Sequence, residues 1–167
     1  VKITKQFIGK RNIYKLSTIK IHENKENSGF GSGLNTGIEL TKAPFITFIN
    51  PDSRVLDGNL FEMKKVFDEK GKAAIVGGKI IGYDKKKELS AGSFLNLVPF
   101  LFWIAGFERI GKGFRYSPTT FQKVDFVSGA FMMVKRSYFE KIGMFDKNIF
   151  MYLEDMEVCY RAYQHYF

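Results

Sequence analysis

The run Phe45-Ile46-Thr47-Phe48-Ile49, followed by Asn50-Pro51-Asp52, places the tightest constraint on what this chain can fold into. Five apolar or β-branched residues read as a buried strand, and Pro51 fixes φ and lacks a backbone donor, so the strand must break there. A carboxylate delivered at the carboxyl end of a strand lies where α/β proteins bind phosphates and metals. The same tripeptide is also an ordinary turn signal, since Asn and Asp side chains bond nearby backbone. The residues alone leave both readings open.

Helical and strand patterns alternate around this run. The stretch up to about Leu16 reads as a helix, and Thr18-Ile19-Lys20-Ile21-His22 alternates like a strand. A Gly-rich loop, Asn27-Ser28-Gly29-Phe30-Gly31-Ser32-Gly33, leads into a helix expected over residues 34–42, and Pro44 marks the next boundary. Asp57-Gly58-Asn59 reads as a helix start, with Leu60, Met63 and Phe67 at helical spacing and Gly71 at the end. Residues 73–81 form a strand pattern continuous enough for burial on both faces. Two further strands, 123–127 and 130–134, flank Ser128-Gly129, and a short helix over 136–142 is closed by Gly143. A last helix begins near Glu154, with Met156, Cys159, Tyr160 and Tyr163 on one stripe. That stripe predicts a packing role for Cys159. Such alternation implies right-handed crossovers and a largely parallel sheet flanked by helices.

A length of 167 residues, 45% hydrophobic and 16% aromatic, suits one domain spanning 1–167 and argues against disorder. The single cysteine forms no internal disulfide, which fits a reducing, cytoplasmic compartment, and no secretory signal is visible. The chain opens without Met and stops at Phe167 inside a helical pattern, so a fragment is expected. A net charge of +9, with a cluster at Lys85-Lys86-Lys87, favours anionic partners without choosing among nucleotides, lipid head groups and nucleic acid. Residues 94–107 are strongly apolar but too short for a membrane span, leaving core or subunit contact beside peripheral contact with a bilayer or a lipid-linked acceptor.

The Gly loop sits between a strand and a helix, a geometry that presents backbone N–H groups to phosphate. Its pattern is Gly29-x-Gly31-x-Gly33 with Leu34 in the sixth position, which departs from the dinucleotide fingerprint although Asp52 lies at a suitable distance for a ribose-binding acid. Glu154 and Asp155 follow Phe150-Met151-Tyr152-Leu153. They read either as a dipole-complementing first turn, with Glu157 and Arg161 paired at i, i+4, or as a general base among aromatics. Zinc spacings, a phosphate-loop Lys and nucleic-acid modules are absent, and only His22 and His165 offer imidazole chemistry. A nucleotide-binding oxidoreductase and a non-catalytic basic module for membranes or polyanions stand as rival functions.

In order and spacing, the blocks Asn27-Ser28-Gly29-Phe30-Gly31-Ser32-Gly33-Leu34-Asn35-Thr36-Gly37-Ile38, Phe48-Ile49-Asn50-Pro51-Asp52, Val124-Asp125-Phe126-Val127-Ser128-Gly129-Ala130-Phe131-Met132, Ile142-Gly143-Met144-Phe145-Asp146 and Phe150-Met151-Tyr152-Leu153-Glu154-Asp155 resemble the family 2 glycosyltransferases, especially their rhamnosyltransferase-like branch. The resemblance implies a GT-A α/β fold, truncated at both ends. It also implies inverting transfer of a sugar from a nucleotide-diphosphate donor, UDP- or dTDP-linked, to a hydroxyl of a glycan or lipid-linked acceptor. Asn50-Pro51-Asp52 stands where the family has Asp-x-Asp, so Asp52 is implied as the ligand of Mg²⁺ or Mn²⁺. Asp155 is implied as the catalytic base, with Glu154 as second choice. Gly31, Gly33, Asn35 and Asn50 are implied on the donor side, and Ser128, Gly129 and Ala130 on the acceptor side.

Overall fold

In the computed structural model of this protein, residues 20–56, 60–94, 101, 105–106 and 115–166 are described. They run in the order α1 (Phe30–Glu39), β1 (Phe45–Ile49), α2 (Leu60–Glu69), β2 (Ile75–Gly77), β3 (Ala91–Gly92), β4 (Arg115–Tyr116), β5 (Phe126–Val127), β6 (Phe131–Lys135), α3 (Arg136–Lys141) and α4 (Glu154–Tyr166).

Side-chain alternation along β6 sets the layering, because neighbouring residues of a strand face opposite sides of the sheet. Met132 and Val134 point into a core with Ile38 of α1, Phe139 of α3, and Val158, Cys159 and Ala162 of α4. Met133 points the other way, into a smaller core with Met63 and Phe67 of α2 and Val76 of β2. Helices therefore cover both faces of the sheet, an α/β architecture. Phe48, Phe139 and Phe145 stack at the centre of the larger core with centroids 5.2–5.8 Å apart. Each such pair adds about 0.5–1.5 kcal/mol beyond area burial.

The sheet order is β1-β6-β2, with β6 antiparallel to both neighbours. β1 and β2 thus run parallel to each other, as the crossover through α2 requires, but they do not pair. The expectation of a largely parallel sheet is corrected here: every ladder among the described residues is antiparallel, because β6 returns from the far end of the chain and fills the gap between them. A second small sheet, β4-β3-β5, pairs Ala91 with Val127 and Gly92 with Phe126.

Several boundaries also move. The helix expected from Leu34 begins at Phe30, so Gly31 and Gly33 lie inside α1 rather than in a loop. The strand expected over 73–81 shortens to Ile75–Gly77, and beyond it only Ile81 bridges to Lys87. Residues 20–22 carry no ladder. The proposed opening helix, the Asp57-Gly58-Asn59 start and most of the apolar stretch 94–107 lie outside the described residues. On α4 the buried stripe is Val158, Cys159 and Ala162, whereas Tyr160 and Tyr163 are exposed on one side and stack edge-on against Phe94. The aromatic residues sit at the margin, where an amphipathic ring needs only partial burial. Cys159 is packed as expected, and burial pushes its thiol up to about 12, leaving it protonated and inert.

Candidate active site

One edge of the sheet gathers the candidate residues. β1 and β2 end there and β6 begins there, since Ile49 registers with Phe131 and the Gly78 amide donates to the Phe131 carbonyl at 3.0 Å. At the end of β1 the Ser53 amide donates to the Asn50 carbonyl at 3.0 Å. Pro51 and Asp52 occupy the centre of that turn, where Pro pre-sets the required φ. The Asp52 carboxylate is exposed, and its backbone carbonyl accepts the Tyr83 hydroxyl at 3.1 Å. Tyr83 carried no signal in the sequence, being a lone exposed aromatic on a distant loop.

The segment Ser128-Gly129-Ala130 joins this turn to α4. The Asn50 amide donates to the Ala130 carbonyl at 3.1 Å, while the neighbouring Gly129 amide donates to Asp155 Oδ2 at 3.0 Å. The Met156 amide donates to Asp155 Oδ1 at 2.8 Å, so both carboxylate oxygens are oriented by main chain. Ser128 completes the junction: its amide donates to the Ser90 carbonyl, and its hydroxyl accepts from the Ala130 amide at 3.3 Å. A methyl group at Gly129 would meet Asp155 Cβ at 3.4 Å and the Phe30 ring at 3.8 Å, ordinary van der Waals contact.

Glu154 faces inward. It is 7% exposed, its Oε2 has no hydrogen-bond partner among the described residues, and burial raises its pKa above the usual glutamate value. Desolvation disfavours the charged form of a carboxyl group, and the nearby Asp155 charge adds in the same direction. The adjacent acids are therefore separated by environment: Asp155 is half-buried at the junction, and Glu154 lies beneath it.

Of the residues read toward the donor, Gly31 and Asn35 also pack this edge together. Gly31 lets α1 approach α4, for a methyl group there would stand 3.0 Å from Phe145 Cβ and 3.7 Å from Glu154 Cβ. Asn35, 1% exposed, donates Nδ2 to the Phe145 carbonyl at 2.8 Å and accepts the Phe145 amide on Oδ1 at 3.1 Å. Gly33 lies part-exposed on α1, and its amide makes the first helical bond to the Gly29 carbonyl at 3.1 Å. The Phe30 amide is engaged by the Phe150 carbonyl at 2.8 Å, and the Gly29 amide by Asn27. Those donors face protein, not an open phosphate cradle. Gly29 is irreplaceable in a way the sequence hid: φ is +96°, and any Cβ would collide with the Phe150 carbonyl oxygen.

The loop before α4 is fixed from several sides. Gly143 and Met144 adopt positive φ, and the Arg161 guanidinium donates to the carbonyls of Ile142 and Met144 while pairing with Glu157 as the i, i+4 spacing predicts. Among the described residues no cluster of three or more His, Cys, Asp or Glu gathers for a metal. A site holding a cation through one carboxylate and the oxygens of a diphosphate needs no such cluster, and exposed Asp52 at a strand end fits that donor set. A cavity of about 900 Å³ opens between α2, residues 118–127 and α4 and includes none of Asp52, Gly129 or Asp155. The hydrogen-bonded junction, not that cavity, unites the polar groups.

Residues 2–143 match the model of glycosyl transferase family 2. The chain is 26% identical over 145 residues to the low-salt glycan biosynthesis hexosyltransferase Agl10 of Haloferax volcanii, an alignment covering 81% of this chain and 43% of that protein. It is 29% identical over 146 residues to the rhamnosyltransferase WbbL of Escherichia coli K12, covering 80% of this chain and 53% of that protein. The chain thus spans about half the length of these two relatives.

Proposed function

We propose that this chain, which belongs to glycosyl transferase family 2, supplies the catalytic edge of an inverting sugar transfer from a nucleotide-diphosphate donor to an acceptor hydroxyl. The observation that carries this reading is the junction at Gly129 and Ala130, which ties Asp155 to the Asn50-Pro51-Asp52 turn through consecutive main-chain groups. A single displacement requires a base on one side of the anomeric carbon and charge neutralisation on the other. Asp155 suits the first task and Asp52 the second.

In this mechanism the acceptor oxygen attacks the anomeric carbon while its proton passes to the Asp155 carboxylate. The bond from that carbon to the diphosphate oxygen breaks, and the nucleoside diphosphate departs with the electron pair. The Gly129 amide holds Asp155 in place and Ser128 fixes the backbone that presents it. Asp52 would hold Mg²⁺ or Mn²⁺, which supplies neutralisation of the departing diphosphate. The substrates of this reading are a UDP- or dTDP-linked sugar and a glycan or lipid-linked acceptor; the likeness to a glycan biosynthesis hexosyltransferase and a rhamnosyltransferase supports sugar transfer in general. Glu154, inward and short of partners, is a support for α4 rather than the base.

The test is Asp155→Asn in the protein assayed for sugar transfer. Turnover should fall by about 10²–10⁴-fold, the usual worth of a general base, with donor binding retained. Turnover within a few fold of the original would overturn the assignment.

A further inference from the structure

The four residues leading into α4, Phe150, Met151, Tyr152 and Leu153, are all exposed, and Tyr152 reaches 78%. Tyr152 and Leu153 also hold φ at +66° and +68°. Bulky residues rarely adopt that region, and consecutive examples persist only where the surroundings impose them. Here two anchors do so. Upstream, the Phe150 carbonyl is gripped by the Phe30 amide against side-chain-free Gly29. Downstream, the Leu153 carbonyl accepts the Glu157 amide at 2.8 Å in the first turn of α4, and Glu154 is driven inward. The strained pair turns the chain so that the acid beneath is buried while the Tyr152 ring is left in water, three residues from Asp155.

Charge indicates what such a ring would meet. Glu154, Asp155 and Glu157 crowd the first turn of α4 immediately after the loop. An apolar loop that enters bilayers is favoured by neighbouring basic residues. This one has a single lysine, Lys147, before it and leads directly into Asp155, with Glu154 turned inward and Glu157 paired to Arg161. Carboxylates accept hydrogen bonds from hydroxyls, and an aromatic face covers C–H groups. A neutral polyol with one apolar face satisfies both.

We propose that Tyr152 is an acceptor-binding residue, its ring stacking on the C–H face of the acceptor's pyranose and presenting a hydroxyl of that sugar to Asp155. The proposal rests on the transferase reading above and deepens it by assigning the acceptor contact. Saturation-transfer NMR of the protein with a panel of methyl pyranosides tests it without relying on turnover. Ring protons of one sugar face should receive saturation in the unmodified protein and in Tyr152→Phe, and the signal should fall at least five-fold in Tyr152→Ala. Where transfer is assayed, Tyr152→Ala should raise the acceptor KM about five- to tenfold with donor binding unchanged, the scale of one aromatic contact. Tyr152→Gly, which accepts positive φ without strain, should raise the melting temperature yet lose the sugar signal, so misfolding cannot mimic the result. Equal saturation in Tyr152→Ala would overturn the proposal, as would Tyr152-dependent binding to phosphatidylcholine–phosphatidylglycerol vesicles in the absence of any sugar signal. Failure of the Asp155→Asn test alone, with the sugar signal intact, would remove the base and leave this contact standing.

Discussion

Burial makes the Glu154 carboxyl hold its proton more tightly than an ordinary glutamate, which ties stability to pH. Well below the ordinary glutamate value of 4.5 the group is neutral in both folded and unfolded chains. As pH rises, the unfolded chain releases the proton first, and folding weakens until the raised folded value is passed. Above that point a buried carboxylate remains whose Oε2 has no partner among the described residues. Glu154→Gln keeps the shape and stays neutral, so its melting temperature relative to the original should climb as pH rises above 4.5. A gap that stays flat across that range would show that Glu154 does not titrate in a buried setting. Asp155, one residue away, is set apart from Glu154 in the sequence only through resemblance, which implies it as the base. Its distinct surroundings come from Gly129, whose amide no local pattern connects to α4.

Within the elements, the loop from α3 to α4 depends on a single side chain of α1. Asn35 answers both the amide and the carbonyl of Phe145, and Asn35→Ala leaves two buried main-chain groups unpaired. Denaturant unfolding should register a loss of about 2–6 kcal/mol, from about 1–3 kcal/mol for each orphaned group. Loss of less than about 0.5 kcal/mol would mean that water replaces the amide. Which parts of the fold were legible follows from range. α2, α3, α4, β1 and β6 are written in local periodicity and in stops such as Gly143 and Pro51, and they were readable. The start of α1 was not, because Gly29 and Gly31 look like loop residues until Phe150, Phe145 and Glu154 are seen against them. The buried stripe of α4 was misread for a related reason: its aromatic residues serve Phe94 at the margin, while the smaller Val158 and Ala162 face the core.

At the scale of the whole molecule, the site depends on distant segments meeting at one sheet edge, and ligand linkage should reveal it. A UDP- or dTDP-sugar with Mn²⁺ at about 100 times its Kd should stabilise the protein by about 2.7 kcal/mol. Asp52→Ala and chelation should each remove most of that gain in a thermal shift measurement, and a gain indifferent to both would reject Asp52 as the metal ligand. The same topology bears on synthesis. The register partners Phe45 and Lys135 lie about ninety residues apart, and β6 must enter between two strands made long before it. At 5–20 residues per second, β1 leaves the ribosome roughly 5–18 s ahead of its partner. From the moment β2 has emerged until β6 follows, two apolar strands lack the partner that each pairs with in the folded sheet. The nascent polypeptide is therefore most vulnerable to mispairing just before residue 131 emerges, and the last third of the chain acts as the wedge that ends the exposure.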